Sequence, residues 1–350
     1  MKQLNSRERV NLVLKGQRSD RPLFSPAIYE HKASLIGKSA SQVSQNAQLL
    51  EQAVLAEYEI YAPDILTIGI DIYNIEAQAL GATVHFPDAD DAVPIIKKRI
   101  LSKPEDVERL TSVNPEKDGR MPLNLKAATE LNKKIGNEVY IRGSVSGPCS
   151  MAVELMGIEQ FLIAMIDNPD AVQKLLDFCT EVAIEYGRAF LTRGVEVCVF
   201  DSYAAPPLVS PQLFESLILP HAKRLIQSLK QAGAELIAYI LGGDTSVIAQ
   251  YLFSTGADIV LSDFPSNVDT FLELLDNSDV LLRRNISPIL IEQGPEQQLE
   301  DQVSAVAALA AKNPQIIVGT GVISYNTSAE KVQAVKNMCL NYYGKAICKK

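Results

Sequence analysis

Short, nearly continuous apolar runs alternate along this chain with longer segments whose apolar positions recur every three or four residues. The short runs predict eight strands, at 21–26, 65–70, 139–143, 195–200, 235–240, 259–261, 280–282 and 316–318. Strands that are apolar on both faces belong in a parallel sheet covered by helices. The longer segments supply those helices. Pro169 follows Asn168 at a first helical position, and Val172, Leu175, Leu176, Cys179, Val182, Ala183 and Tyr186 trace one face before Gly194 ends it. Ser210-Pro211 opens another, carrying Leu213, Leu217, Leu225 and Leu229 up to Gly233. Further helical patterns fall at 47–61, 246–253, 269–275, 296–311 and 328–342.

Eight strands, each followed by a helix, predict an α/β fold of the (β/α)₈ TIM-barrel type. A doubly wound open sheet usually begins with a glycine-rich phosphate loop, and the chain has neither GxGxxG nor GxxxxGK followed by Ser or Thr. Two segments distort the minimal barrel. Residues 1–20 predict an N-terminal helical extension with Leu4, Val10, Leu12 and Leu14 as its contacts. Within 77–125, two apolar stretches at 82–86 and 93–101 predict a hairpin excursion after the second strand. No linker, repeat or low-complexity tract interrupts the pattern, so a single domain over 1–350 is expected.

Composition narrows the function classes. The 350 residues are 47% hydrophobic and 21% charged, which excludes a disordered or fibrous chain. With 33 basic against 42 acidic residues the net charge is −9, a poor match for a nucleic-acid binder. Lys97-Lys98-Arg99 and Arg283-Arg284 read as solvated faces. Cys149, Cys179, Cys198, Cys339 and Cys348 are odd in number and form no CxxC pair, as in a reduced, cytoplasmic chain without a disulfide framework. No apolar run reaches the roughly 18 residues of a membrane span. The first residues lack the apolar core of a secretory signal.

Chemistry in such a barrel sits at the C-terminal ends of the strands. Those positions hold Glu30 and His31 after the first strand, and Asp71 and Tyr73 after the second. Asp201 and Tyr203 follow the fourth, Tyr239 and Asp244 mark the fifth, and Asp263 and Asn285 follow the sixth and seventh. A carboxylate directly after an apolar strand is costly unless paired or functional. Asp71 and Asp201 are therefore the expected catalytic acids, with His31 and Tyr239 beside them. Glu30, Tyr73, Tyr203, Asp244, Asp263 and Asn285 are expected to bind substrate. Tyr29, Tyr73, Tyr203, Tyr239 and Tyr325 suggest an aromatic pocket. His85 and His221 read as structural or solvent-facing. Gly242-Gly243 and Gly319-Thr320-Gly321 are either tight turns or points where the backbone approaches a ligand.

The same segments resemble the uroporphyrinogen decarboxylase superfamily. Gly147-Pro148 followed by Ser150 and Ala152 is similar to its GP-x-S/T-x-A stretch. Glu76-Ala77-Gln78-Ala79-Leu80-Gly81 is similar to its E-A-x-A-L-G segment. Asp201-Ser202, Ser210-Pro211, Phe214 and Leu219-Pro220 resemble a later stretch, as do Gly256-Ala257-Asp258 and Asn285-Ile286-Ser287-Pro288. The match runs from about residue 6 to 343 and implies a distorted (β/α)₈ barrel.

The resemblance implies one of two chemistries. Decarboxylases of uroporphyrinogen, a tetrapyrrole with eight carboxylates, carry arginines after the first strand. Residues 25–32 here contain none, and Thr320 replaces their G-H-G histidine. The other branch moves methyl groups between small molecules and a corrinoid (cobalamin) held by a partner protein. Its zinc ligands, an H-x-C pair after the fifth strand and a cysteine after the eighth, correspond here to Tyr239, Leu241 and Val322. No metal ligand is therefore expected, and zinc is not. The expected function is corrinoid-linked methyl transfer from or to a small, non-thiol methylated compound. The alternatives are a lyase acting on a smaller carboxylate, or a non-catalytic scaffold that docks a corrinoid-binding protein. Neither nucleic acid nor membrane is an expected partner.

Overall fold

A computed structural model describes residues 4–348. Its strands are β1 (Leu23–Ala27), β2 (Ile65–Ile68), β3 (Thr83–His85), β4 (Ile95–Lys98), β5 (Tyr140–Ser146), β6 (Glu196–Phe200), β7 (Ile237–Ile240), β8 (Ile259–Ser262), β9 (Leu281–Ile286) and β10 (Ile316–Val322). β3 and β4 form the antiparallel hairpin. The other eight form one parallel sheet in the order β1-β10-β9-β8-β7-β6-β5-β2, curled into a nearly closed barrel with helices outside. All eight predicted strands are present, and β5, β9 and β10 run three to four residues further than their apolar cores.

The seam lies between β1 and β2. β1 contains Pro26, which has no N–H to donate, and its pairing with β10 shifts register there. Asp64 bridges the seam instead. Its backbone N–H donates to the Phe24 carbonyl at 2.8 Å, and its carboxylate accepts from the Phe24 N–H at 2.8 Å.

Alternation along each strand divides the core into two layers. Val197, Val199, Ile237, Tyr239, Leu282 and Ile286 face the surrounding helices. Cys198, Phe200, Ala238, Ile240, Leu281 and Ile317 face the lumen. The predicted N-terminal helix is Ser6–Leu14, and its Val10 and Val13 close the lower end of the lumen. Asn5 and Glu8 form a capping box that fixes its start.

The helices Ala47–Tyr61, Pro169–Leu191 and Glu296–Lys312 lie where expected. The stretch 210–233 does not form one continuous α-helix. It divides into Pro211–Leu213, a π-turn at Phe214–Ile218, and Leu219–Gln231. Pro220 lacks an N–H and crowds the preceding turn, and the wider π-turn accommodates it. Among the described residues no single helix is long and apolar enough to cross a membrane.

Candidate active site

A cavity of about 530 Å³ opens at the C-terminal ends of the strands. Ile70, Ile72, Phe200, Ile240 and Leu261 make its walls apolar, and the hairpin adds Val93 to Ile96 and Arg99 above them. Tyr29 meets Phe200 edge-on at 5.5 Å, and the rings of Tyr73 and Tyr203 lie 5.8 Å apart. A volume of this size, apolar with a few converging polar groups, suits a small organic ligand.

Of the ten predicted site residues, six line the cavity: Glu30, Asp71, Tyr73, Tyr203, Asp263 and Asn285. Their electrostatic situations differ. Asp71 is held by Arg120 in a two-pronged ion pair, at 2.9 and 2.6 Å. Asp263 accepts from Asn285 Nδ2 at 2.8 Å and from the backbone N–H groups of Gly243 and Phe264, each at 2.9 Å. Among the described residues Glu30 has no such hydrogen-bond support and accepts from its own backbone. Burial raises its carboxyl above the usual range, partly offset by that backbone bond and by Lys32. Glu154, not anticipated from the sequence, also lines the cavity, and burial raises it despite Tyr203 and Arg99 nearby.

Four predicted residues lie elsewhere. The chain turns into the helix His31–Ser34 at His31, which swings the ring into the wall. There Nδ1 meets the Ser324 carbonyl at 2.9 Å and Nε2 the Tyr61 hydroxyl at 2.7 Å. Burial lowers the pKa of this imidazole. Tyr239 points toward the helices by strand alternation and donates to Asp201 Oδ2 at 3.0 Å. Asp201 is fully buried, and its Oδ1 accepts from the Ser150 N–H at 2.7 Å. Desolvation pushes its pKa up to about 6, against the lowering effect of those donors. Gly147 makes room for it, since a Cβ there would meet the carboxyl carbon at 2.2 Å. Asp244 is exposed and its carboxylate accepts from the Ser246 N–H at 3.0 Å. Of the five tyrosines, Tyr29, Tyr73 and Tyr203 line the cavity, while Tyr239 and Tyr325 do not.

The reading of Arg283-Arg284 as a solvated face is corrected. On β9, Leu281, Arg283 and Asn285 point inward, and Arg283 is 2% exposed. Its Nη2 donates to the Thr320 carbonyl at 3.0 Å. Arg284, on the other face, donates to the Asp263 carbonyl at 2.6 Å and the Ser266 carbonyl at 3.1 Å. Adjacent residues on a strand face opposite ways, so one of the pair had to enter the barrel. That alternation was the available signal. His85 is exposed, and His221 is buried beside Asp177 and Thr180.

Tyr239, Leu241 and Val322, the positions that the resemblance set against zinc ligands, lie in different surroundings. Tyr239 and Leu241 pack among the outer core side chains, and Val322 alone reaches the cavity. Among the described residues no three His, Cys, Asp or Glu side chains gather as a metal would require.

Known proteins are similar to this chain in sequence and in fold. Over 96% of its length the chain is 23% identical to the methylcobamide:CoM methyltransferase MtbA of Methanosarcina mazei, covering 99% of that protein. It is also 23% identical to the uroporphyrinogen decarboxylase of Carboxydothermus hydrogenoformans, over 88% of this chain and 89% of that one. A solved methyltransferase structure from Methanosarcina mazei superposes with a TM-score of 0.85 at 20% identity, covering 97% of this chain and 100% of the other. The family model for uroporphyrinogen decarboxylase (URO-D) matches residues 5–342. With nearly the whole barrel inside that match, the chain belongs to the uroporphyrinogen decarboxylase (URO-D) family.

Proposed function

We propose that this protein transfers a methyl group between a small methylated compound and a corrinoid (cobalamin) carried by a partner protein, without zinc. One observation carries the proposal: a small apolar cavity holds Glu30 where decarboxylases of the resembling family carry arginines. Glu30, Asp71, Glu154 and Asp263 line the cavity against only Arg99 and Arg283. A tetrapyrrole with eight carboxylates meets repulsion there. A single methylated compound does not.

In demethylation the corrinoid, as co-substrate, takes the methyl group, and the heteroatom leaves with the bonding pair. That heteroatom then needs a proton. Glu30 is the candidate donor, because burial favours its neutral form by more than its backbone bond and Lys32 favour the carboxylate. Asp71, ionised against Arg120, and Asp263, tied to Asn285, shape the wall instead.

Apolar side chains exposed around the mouth support docking of a corrinoid protein. Ile95 on the hairpin, Val322 at the end of β10, and Leu208, Val247 and Ile289 in the connections after the strands are 40–65% exposed. Leu241 and Val322 have no atom that ligates zinc, and the Tyr239 hydroxyl is committed to Asp201. A second proposal, a lyase acting on a smaller carboxylate, draws support from Arg283 in the lumen.

The test mixes the protein with cob(I)alamin and a panel of O-, N- and S-methyl compounds while the corrinoid spectrum is followed. Conversion to methylcobalamin with at least one donor is expected. No conversion with any donor, together with release of coproporphyrinogen from uroporphyrinogen, overturns the proposal.

A further inference from the structure

The barrel interior below the cavity carries more positive charge than it neutralises. Lys32, Arg142 and Arg283 are 0%, 2% and 2% exposed. Among the described residues the only carboxylate paired with any of them is Glu57, 3.2 Å from Lys32 Nζ. Arg142 donates through Nε to the Thr67 hydroxyl at 2.8 Å, and its Nη1 has no partner among the described residues. Arg283 donates through Nη2 to a carbonyl and lies by the Tyr29 hydroxyl, and its Nε has no partner among the described residues. Among the described residues neither guanidinium has a carboxylate within 4 Å, and burial, with Arg142 nearby, disfavours the charge on Arg283 despite Tyr29 and the more distant Asp263. A buried cation without a counter-charge is expensive, and a bound anion removes that cost.

The backbone around Arg283 is shaped to let it reach the lumen. A Cβ on Gly319 would fall 2.5 Å from Arg283 Nε and 2.4 Å from Asn285 Oδ1. Only glycine at that position of β10 leaves room for both side chains, which accounts for the glycine pattern noted in the sequence. Of the cavity carboxylates Asp263 acts on Arg283 from a distance, and among the described residues none pairs with it. Asp71 is spent on Arg120, Asp263 on Asn285 and two N–H groups, and Glu154 lies by Arg99. The cavity that Arg283 lines is rich in aromatic rings, with Phe200 and Tyr29 edge to face and the rings of Tyr73 and Tyr203 tilted 54° to each other.

We infer that the cavity takes a small aromatic monocarboxylate, with its carboxylate on the Arg283 guanidinium and its ring between the apolar walls. Arginine matches a carboxylate through two parallel N–H donors, and the bond gains strength away from water. Resting on the methyl-transfer proposal for this clause alone, the methylated heteroatom lies at the end of the ring toward the mouth, where Glu30 waits.

Binding is measured by calorimetry on the full chain, without corrinoid, so it does not depend on turnover. The probes are 3- and 4-methoxybenzoate and their neutral amides, which share shape but not charge. At least one acid should bind, and its amide at least tenfold more weakly. Arg283→Gln should lower the acid's affinity to that of the amide, while Arg283→Lys, which keeps a charge without the fork, should fall between. Both variants should unfold with the wild-type cooperativity. Equal binding of acid and amide, no binding of either acid, or unchanged acid affinity in a folded Arg283 variant overturns the inference. If the acid binds through Arg283 yet yields no methylcobalamin, the methyl-transfer proposal falls and the binding site stands. Release of carbon dioxide from the acid would then favour the lyase.

Discussion

The two ends of the barrel are built from similar residue types and put them to opposite use. At the lower end the charges around the β1–β2 seam are answered nearby. Arg21 makes two bonds to Asp64, at 2.6 and 2.9 Å, and the same carboxylate bridges the β1–β2 seam. Arg9 holds Asp20 at 2.7 Å, and the Tyr140 hydroxyl donates to Asn11 at 2.6 Å beneath the N-terminal helix. At the upper end, among the described residues, Arg283 Nε and Asn285 Oδ1 lack hydrogen-bond partners, and the Glu30 carboxyl bonds to its own backbone with Lys32 nearby. Buried polar groups in proteins are satisfied as a rule, so a cluster of exceptions marks the place where something else completes them. The lower end secures the fold, and the upper end is left incomplete for a ligand.

The largest expected effect comes from breaking the lower end. Asp64→Ala strands Arg21 and the Phe24 N–H at the seam, and loss of one partner of a buried ion pair costs about 3–5 kcal/mol. Urea unfolding should show that loss, while ligand affinity per folded molecule stays at the wild-type level. A stable variant with damaged binding would reverse the roles assigned to the two ends.

At the upper end the order of effects inverts. Glu30→Gln keeps the shape but removes the proton, and a general acid is worth about 10²–10⁴-fold in rate. Methyl transfer should slow by at least about a hundredfold, equivalent to about 2.7 kcal/mol of barrier, with the unfolding midpoint unchanged. Rates within threefold of wild type would leave Glu30 a mere lining residue.

Asp201 lies between the two cases, because it is buried and satisfied yet close to the cavity wall. Its folded pKa, about 6, lies above the ordinary value of 3.8, so the native state holds the proton more tightly than the unfolded chain. The stability contributed by that proton is present below pH ~4 and is lost as pH rises through about 6, by at most about 1.4 kcal/mol per pH unit. Asp201→Asn cannot titrate, so its stability should fall less than that of the wild type between pH 4 and 6. Turnover should drop by less than about tenfold, since the carboxyl bonds into the wall. A hundredfold drop would restore Asp201 to the catalytic role that its sequence position suggests.

Sequence pattern made the scaffold legible because strand and helix periods are local properties. The eight strands, the Ser6–Leu14 helix and the β3–β4 hairpin were all readable that way. Strand-end positions pointed to the barrel mouth, and Glu30, Asp71, Tyr73, Tyr203, Asp263 and Asn285 line the cavity there. Direction was the part that failed. His31 turns away because a helix starts at that residue, and Tyr239 faces outward by a parity that apolar runs on both faces conceal. Glu154 is supplied by a helix rather than a strand end, and Arg99 follows the hairpin strand β4, so no strand-end rule finds them. Arg283 was within reach of strand parity, but a charge pair in an acidic chain resembles a solvated face.

The central claim is that the open end moves a methyl group to a corrinoid without zinc. The direct measurement follows a trideuteromethyl group from donor to cobalt by mass spectrometry, using protein dialysed against a chelator and protein that was not. Trideuteromethyl-cobalamin should form at equal rates in the two samples, and added zinc should change neither. Label that never reaches cobalt, or transfer that stops on chelation and returns with zinc, would contradict the account.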